Sequence, residues 1–271
     1  MKIFITGVGG FLGSRMAAAL TSRGHSVRGS SHQTMPLGEP FDDSVFANID
    51  VVIHAAHDAR RGAGETNIRG TRAWLEAAAA RGVERQIFVG SYSSRPHSPS
   101  EYGRTKHRLE RIFLSAGGTV LRPGLVVGGG GLFARQQAAL RRAFVVPVIS
   151  GGKDPVAVIA LHHFLEALEA VLSRGLTGAW NLFYEPQPCS RDFIRAVKSR
   201  LGQRARFLSI PPGIAIAAVR LASGLHLPAP ATEDQIRSLV SNRSAPWRSD
   251  LTELLPDRAG EFTIEYALSL L

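Results

Sequence analysis

Lys2-Ile3-Phe4-Ile5-Thr6-Gly7-Val8-Gly9-Gly10-Phe11-Leu12-Gly13 stands at the start of the 271-residue chain, and its reading decides the fold. A short apolar strand runs into glycines at 7, 10 and 13, and helical spacing of apolar residues follows through Arg23. Glycines so placed permit a tight turn, a close approach of backbone N–H groups to a pyrophosphate, and close packing of helix on strand. The helix then directs the positive end of its dipole at the phosphates.

Outward from this turn the pattern repeats. Strands are predicted near 2–6, 25–30, 50–55, 86–91 and 118–122, with helices near 11–23, 65–81 and 102–116. Such alternation argues for a parallel sheet covered by helices on both faces. Between Ser31 and Asn48 the chain is turn-rich, with Pro36, Gly38 and Pro40, so a full extra strand and helix would barely fit there. Beyond Pro123 the expectations are a flexible glycine run over Gly128 to Gly131, a helix over Leu132 to Ala143, and a strand over Val156 to Ile159 that rejoins the main sheet. Gly202 to Leu225 is apolar, and Pro228-Ala229-Pro230 reads as a linker before a helix cap at Thr232-Glu233-Asp234.

Composition narrows the function classes. Net charge is +10 and the pI about 10.7. The basic residues are scattered through predicted helices without a dense run or aromatic interleaving, which argues for a solvated arginine-rich surface and against nucleic acid. The excess positive charge suits an anionic small-molecule substrate. Cys189 is the one cysteine, so no intramolecular disulfide and no cysteine metal cluster can form. No apolar run reaches the ~18 residues of a spanning helix, and a soluble cytoplasmic protein without a membrane partner is expected. His54, His57 and the pair His162-His163 lack a completing ligand at metal-binding spacing, so no metal is expected.

Tyr102 and Lys106 lie four residues apart in a helical pattern, hence on one helical face. An ammonium there favours the ionised phenol and would make Tyr102 a proton donor or acceptor nearer neutrality. Ser93 precedes Tyr102 by nine residues, and Ser91 stands close by.

Read in order, Thr6-Gly7-x-x-Gly10-Phe11-Leu12-Gly13, Asp50 to Ala56, Asn67-x-x-Gly70-Thr71, Phe88 to Ser93, Tyr102-x-x-x-Lys106 and Leu121 to Gly128 resemble the extended short-chain dehydrogenase/reductase family of NAD(P)-dependent epimerases, dehydratases and reductases. The resemblance implies a Rossmann-type doubly wound parallel α/β sheet over 1–125 and 156–186, and a smaller substrate lobe over 126–155 and 187–271. It implies that Tyr102 moves a proton, that Lys106 tunes the phenol and holds the nicotinamide ribose, and that Ser93 binds the reacting oxygen, with Ser91 as runner-up. Asn67 resembles a supporting residue beside the cofactor.

By the same resemblance the cofactor wall comprises Gly7, Gly10, Phe11, Leu12, Gly13, Ser30, Ser31, His32, Ala55, Ala56, His57, Ser91, Pro123, Leu125 and Val126, with Tyr102 and Lys106. Arg28-Gly29-Ser30-Ser31-His32 offers no acidic residue to the adenosine ribose, and the next acid is Glu39, which favours NADP over NAD. Sugar-nucleotide dehydratases carry Asp-Glu after the active-site hydroxyl, whereas Ser94-Arg95 follow here, so reduction or epimerisation of a nucleotide-linked sugar is expected instead. The family also implies a homodimer through the helices near 65–81 and 102–116. The alternative is a non-catalytic NAD(P)-binding regulatory or assembly protein, against which the intact Tyr102 and Lys106 argue.

Overall fold

Strand alternation splits the core in two. In the computed structural model, which describes residues 1–225, 231–242 and 245–271, β1 (Lys2–Thr6) sends Ile3 and Ile5 to one side of the sheet and Phe4 to the other, all buried. The same division recurs in β3 (Val51–His54), where Val51 and Ile53 oppose Val52, and in β4 (Arg85–Val89), where Ile87 and Val89 oppose Phe88. A strand apolar on both faces needs helices on both, as in parallel sheets generally. With β2 (Ser26–Ser30), β5 (Thr119–Pro123) and β9 (Gly178–Leu182) these strands form one parallel sheet of order β2-β1-β3-β4-β5-β9.

Met16 and Leu20 of α1 (Phe11–Ser22) cover one face, together with Phe164, Ala167, Leu168 and Val171 of α5 (Leu161–Ser173). The other face is covered by α2 (Gly64–Ala80), which buries Ile68, Trp74, Leu75 and Ala78, and by α3 (Glu101–Ser115), which buries Leu109 and Phe113. As expected from its turn-rich sequence, the stretch after β2 adds no strand. It contains one turn of 3₁₀ helix, Asp43–Phe46, whose Phe46 packs edge-on against Phe4 at 5.2 Å, and β2 remains the edge of the sheet.

Two expectations past Pro123 are corrected. The strand expected over Val156 to Ile159 does not rejoin the main sheet: β8 (Val158–Ala160) pairs with β6 (Leu125–Val127) in a separate parallel pair, and β9 supplies the sixth strand. The glycine run is also not loose, because it receives the ring of Phe11 from α1. A Cβ at Gly130 would lie 2.3 Å from that ring, so glycine is needed for contact rather than for motion.

The remaining chain adds further elements beside the sheet. It contains α4 (Gly131–Arg142), β7 (Val146–Ile149), α6 (Ser190–Arg200) and β10 (Phe207–Ile210), which pairs in parallel with β7. These are followed by α7 (Pro212–Gly224), α8 (Glu233–Ser241), α9 (Leu251–Leu254) and α10 (Ile264–Ser269). Thr232 caps α8 as expected, with Gln235 completing a capping box. The linker read at Pro228-Ala229-Pro230 lies outside the described residues. Among the described residues no helix is long and apolar enough to cross a membrane.

Candidate active site

The predicted site residues follow the carboxyl ends of β1 to β5, where open α/β sheets bind their ligands. Gly7 leaves β1 with φ +74°, a conformation that favours glycine, and a Cβ there would lie 2.7 Å from the Ala56 Cα. A Cβ at Gly13 would lie 2.1 Å from the Gly7 carbonyl oxygen, so α1 presses on the turn as a dinucleotide cradle requires. The Thr6 hydroxyl accepts from the amides of Ala55 and Ala56 at 3.2 and 3.3 Å, fixing the end of β3 beside the turn. No side chain caps α1 and its first turn carries no acid, which leaves its amide end suited to phosphate. These residues fit a dinucleotide.

Tyr102 and Lys106 share one face of α3, as the spacing predicts. Lys106 is buried, its Nζ donates to the Val89 carbonyl at 2.7 Å, and it lies 4.7 Å from the Phe88 ring centre and 5.8 Å from that of Tyr102. Burial brings its pKa down to about 8, opposed by the Glu110 carboxylate. Tyr102 departs from the sequence expectation: burial raises the phenol above its ordinary value, the Ser91 hydroxyl acts against this, and the Glu110 charge adds to it. The ammonium meets the ring face and a carbonyl, so it does not offset desolvation of the phenolate.

The hydroxyl that acts on the phenol is that of Ser91, the runner-up, while Ser93 donates its own amide to Ser91 Oγ at 3.2 Å and turns its carbonyl toward Gly103 of α3. The His57 ring stands edge-on to Tyr102, with centres 5.1 Å apart. Burial and the Lys106 charge bring its pKa down to about 3, so it is a neutral imidazole. Asn67 staples the loop that carries His57. Its amide donates to the Asp58 and Ala63 carbonyls at 2.9 Å each, and its oxygen accepts from the Asp58 amide at 2.8 Å.

Around the adenosine side, Ser30 is buried at the tip of β2, Ser31 braces the following turn through Thr34 at 2.9 Å, and His32 is exposed. Arg28 points elsewhere, donating to the Ala47 carbonyl at 3.3 Å, and does not supply charge at the tip. Pro123 ends β5, while Leu125 and Val126 lie in β6 outside the main sheet, with Val126 part of the core.

Sequence reasoning missed two supports. Asp234 of α8 accepts the backbone amides of Glu101 and Tyr102 at 2.7 and 3.2 Å, capping α3 from 132 residues away. Beneath the site, buried Glu110 pairs with Arg122 at 2.9 Å, and Arg122 stacks on Trp247 at 4.2 Å. A helix cap from so distant a residue leaves no local signal. His162, His163 and Glu166 also approach one another, yet His163 is engaged on both nitrogens, by Tyr184 at 2.7 Å and Glu261 at 3.1 Å, and Arg258 pairs with Glu166 at 3.0 Å.

Known proteins resemble this chain in sequence or in fold. A curated relative from Stigmatella aurantiaca, 4-hydroxy-2-methyl-3-oxo-4-farnesyl-3,4-dihydroquinoline-1-oxide ketoreductase, is 25% identical over 269 residues, covering 83% of this chain and 80% of that protein. A nucleoside-diphosphate-sugar epimerase from Staphylococcus aureus has a similar structure, with TM-score 0.73, 14% identity and 99% of each chain covered. So does an NAD-dependent NDP-hexosamine 5,6-dehydratase of tunicamycin biosynthesis, with TM-score 0.70, 17% identity, and 99% of this chain and 95% of that one covered. With residues 3–144, more than half of its length, matching it, the chain belongs to the NAD dependent epimerase/dehydratase family and is an NAD-dependent enzyme of the extended short-chain dehydrogenase/reductase type.

Proposed function

We propose that the protein is an NADP-dependent reductase of a ketone, with Tyr102 as the proton donor. One observation carries this reading: the Tyr102 phenol, one helical turn from Lys106, has the Ser91 hydroxyl just past the end of β4 as the side chain that opposes its raised pKa. A phenol whose pKa burial has raised is protonated at neutral pH, which suits donation to a carbonyl oxygen more than abstraction from an alcohol. The bound dinucleotide supplies hydride. Ser91 holds the carbonyl oxygen and stabilises its developing charge, taking the role first expected of Ser93. Lys106 brings a cation to the buried site, and neutral His57 walls the phenol without adding charge. If Ser91 is the active-site hydroxyl, Tyr92-Ser93 follow it, and neither supplies the acid and base that dehydration needs.

Ser30, Ser31 and His32 at the tip of β2 leave room for a 2′-phosphate and present no carboxylate to repel it. NADPH is therefore the preferred cofactor. Fluorescence titration should show NADPH binding more tightly than NADH, and Ser31→Asp should reverse the order; equal affinities in the unaltered protein would refute the preference.

The lobe over 126–155 and 187–271 takes the substrate, and a nucleotide-linked keto-sugar is the first class to test. A second reading, a cyclic ketone bearing an apolar chain, is favoured by the ketoreductase relative. NADPH oxidation in the presence of each class discriminates between them, and failure of both, with NADPH bound, would point to the non-catalytic alternative. We place the enzyme in the cytoplasm as a homodimer through α2 and α3, where the small, exposed Ala79 and Ala80 follow the surface ion pair Arg72–Glu76 and allow close helix contact.

A further inference from the structure

Among the described residues, the large apolar side chains that are more than half exposed all lie over residues 144–225. Phe144 is 72% exposed and Val145 44% in the turn between α4 and β7, and Leu208 of the neighbouring β10 is 57% exposed. They form one surface, because β10 runs beside β7 with Leu208 opposite Pro147 and the Arg206 carbonyl accepting from the Val146 amide at 2.8 Å. The next helix, α7, buries only Ala215 and exposes Ile214 and Leu221.

The two segments that carry these side chains are basic, with Asp192 and Glu233 at their margins paired to Arg195 and Arg220. No Asp or Glu occurs over residues 131–153 or 201–232, whereas Arg141, Arg142, Arg204 and Arg206 are exposed there. These arginines interleave with the apolar residues: the Arg206 guanidinium stacks on Phe144 at 4.5 Å, and Gln203 ties the second segment to the Arg141 carbonyl at 3.1 Å. We propose that this face, centred on Phe144, Leu208, Arg204 and Arg206, docks on an anionic lipid surface.

Three partners would leave the face differently satisfied. A second copy placed symmetrically on it would set arginines against arginines, with no acid in either segment to neutralise them. Nucleic acid would engage the arginines and leave Phe144, Val145 and Leu208 in water. An anionic bilayer takes the arginines at its headgroups and the aromatic and aliphatic side chains at the acyl boundary, so both features are used together. Lying on a bilayer requires no spanning helix, and the cytoplasmic leaflet carries the needed negative charge. Docking would also bring the substrate lobe to a source of apolar substrate, although it does not depend on which ketone is reduced.

Flotation of the full chain with vesicles tests it. The protein should float with vesicles of phosphatidylcholine and phosphatidylglycerol in a three-to-one ratio, remain behind with phosphatidylcholine alone, and dissociate as salt is raised. Phe144→Ser with Leu208→Ser, and separately Arg204→Gln with Arg206→Gln, should each weaken binding at least about tenfold. Arg72→Gln with Arg111→Gln, on the α2 and α3 face, should bind as the unaltered protein does. Unchanged NADPH affinity and thermal midpoint would show that each variant is folded. The proposal is overturned if the anionic vesicles do not bind, if the α2 and α3 variant loses binding equally, or if the Phe144 and Leu208 variant changes only the oligomeric state.

Discussion

Tyr102 and Lys106 each move away from their ordinary pKa for the same reason, since burial disfavours the charged form of both: the phenol rises and the ammonium falls to about 8. The spacing alone could not supply this, because it shows which residues share a helical face but not how dry the face is. Ser91 and Ser93 likewise separate only when the turn after β4 is seen, whereas Gly7 and Gly13 were legible because a glycine requirement is local. Burial also gives a prediction at His54, which bonds Gln86 at 2.9 Å inside the sheet. Desolvation lowers its pKa from 6.5 to about 4, so between these values the unfolded chain binds more protons than the folded one and stability falls as pH drops. The full loss is on the order of 3 kcal/mol. Urea denaturation between pH 7 and 4 should show this slope, to which His57 also contributes, and His54→Gln should reduce it; an unchanged slope in the variant would assign the acid sensitivity elsewhere.

The parallel strands and their covering helices were readable because their apolar periodicity is local and strong. The apolar run over Val156 to Ile159 marks a strand, observed as β8, but nothing local distinguishes β6 from the main sheet as its partner. Asp234 shows the same limit at the level of helices. Its carboxylate completes the amino end of α3, which Ser100 caps from within by accepting the Gly103 amide at 3.0 Å. Asp234→Leu should cost about 1 kcal/mol of stability, the usual value of a lost cap. It should lower kcat more than it raises KM for NADPH, because the amide released is that of Tyr102. Asp234→Asn keeps an accepting oxygen and should recover most of kcat; if it fails to, the charge of Asp234 matters and the capping role is insufficient.

On the scale of the whole molecule, α2 and α3 cover one face of the sheet side by side and leave their outer surface to solvent or to a second copy. Light scattering at micromolar concentration should give the mass of a dimer, and Ala80→Glu, placing a charge on the exposed side of α2, should shift it toward monomer; a monomer throughout would remove the proposed pairing. The central claim joins the glycine turn, which fits a dinucleotide, to the Tyr102 phenol at the carboxyl end of the sheet. Tyr102→Phe tests that union directly, since it removes the proton and keeps the ring. With the ketone that supports NADPH oxidation, kcat should fall at least about a hundredfold, the usual contribution of a positioned acid, while NADPH binds as before. A variant that binds NADPH normally and retains near-native kcat would contradict the account.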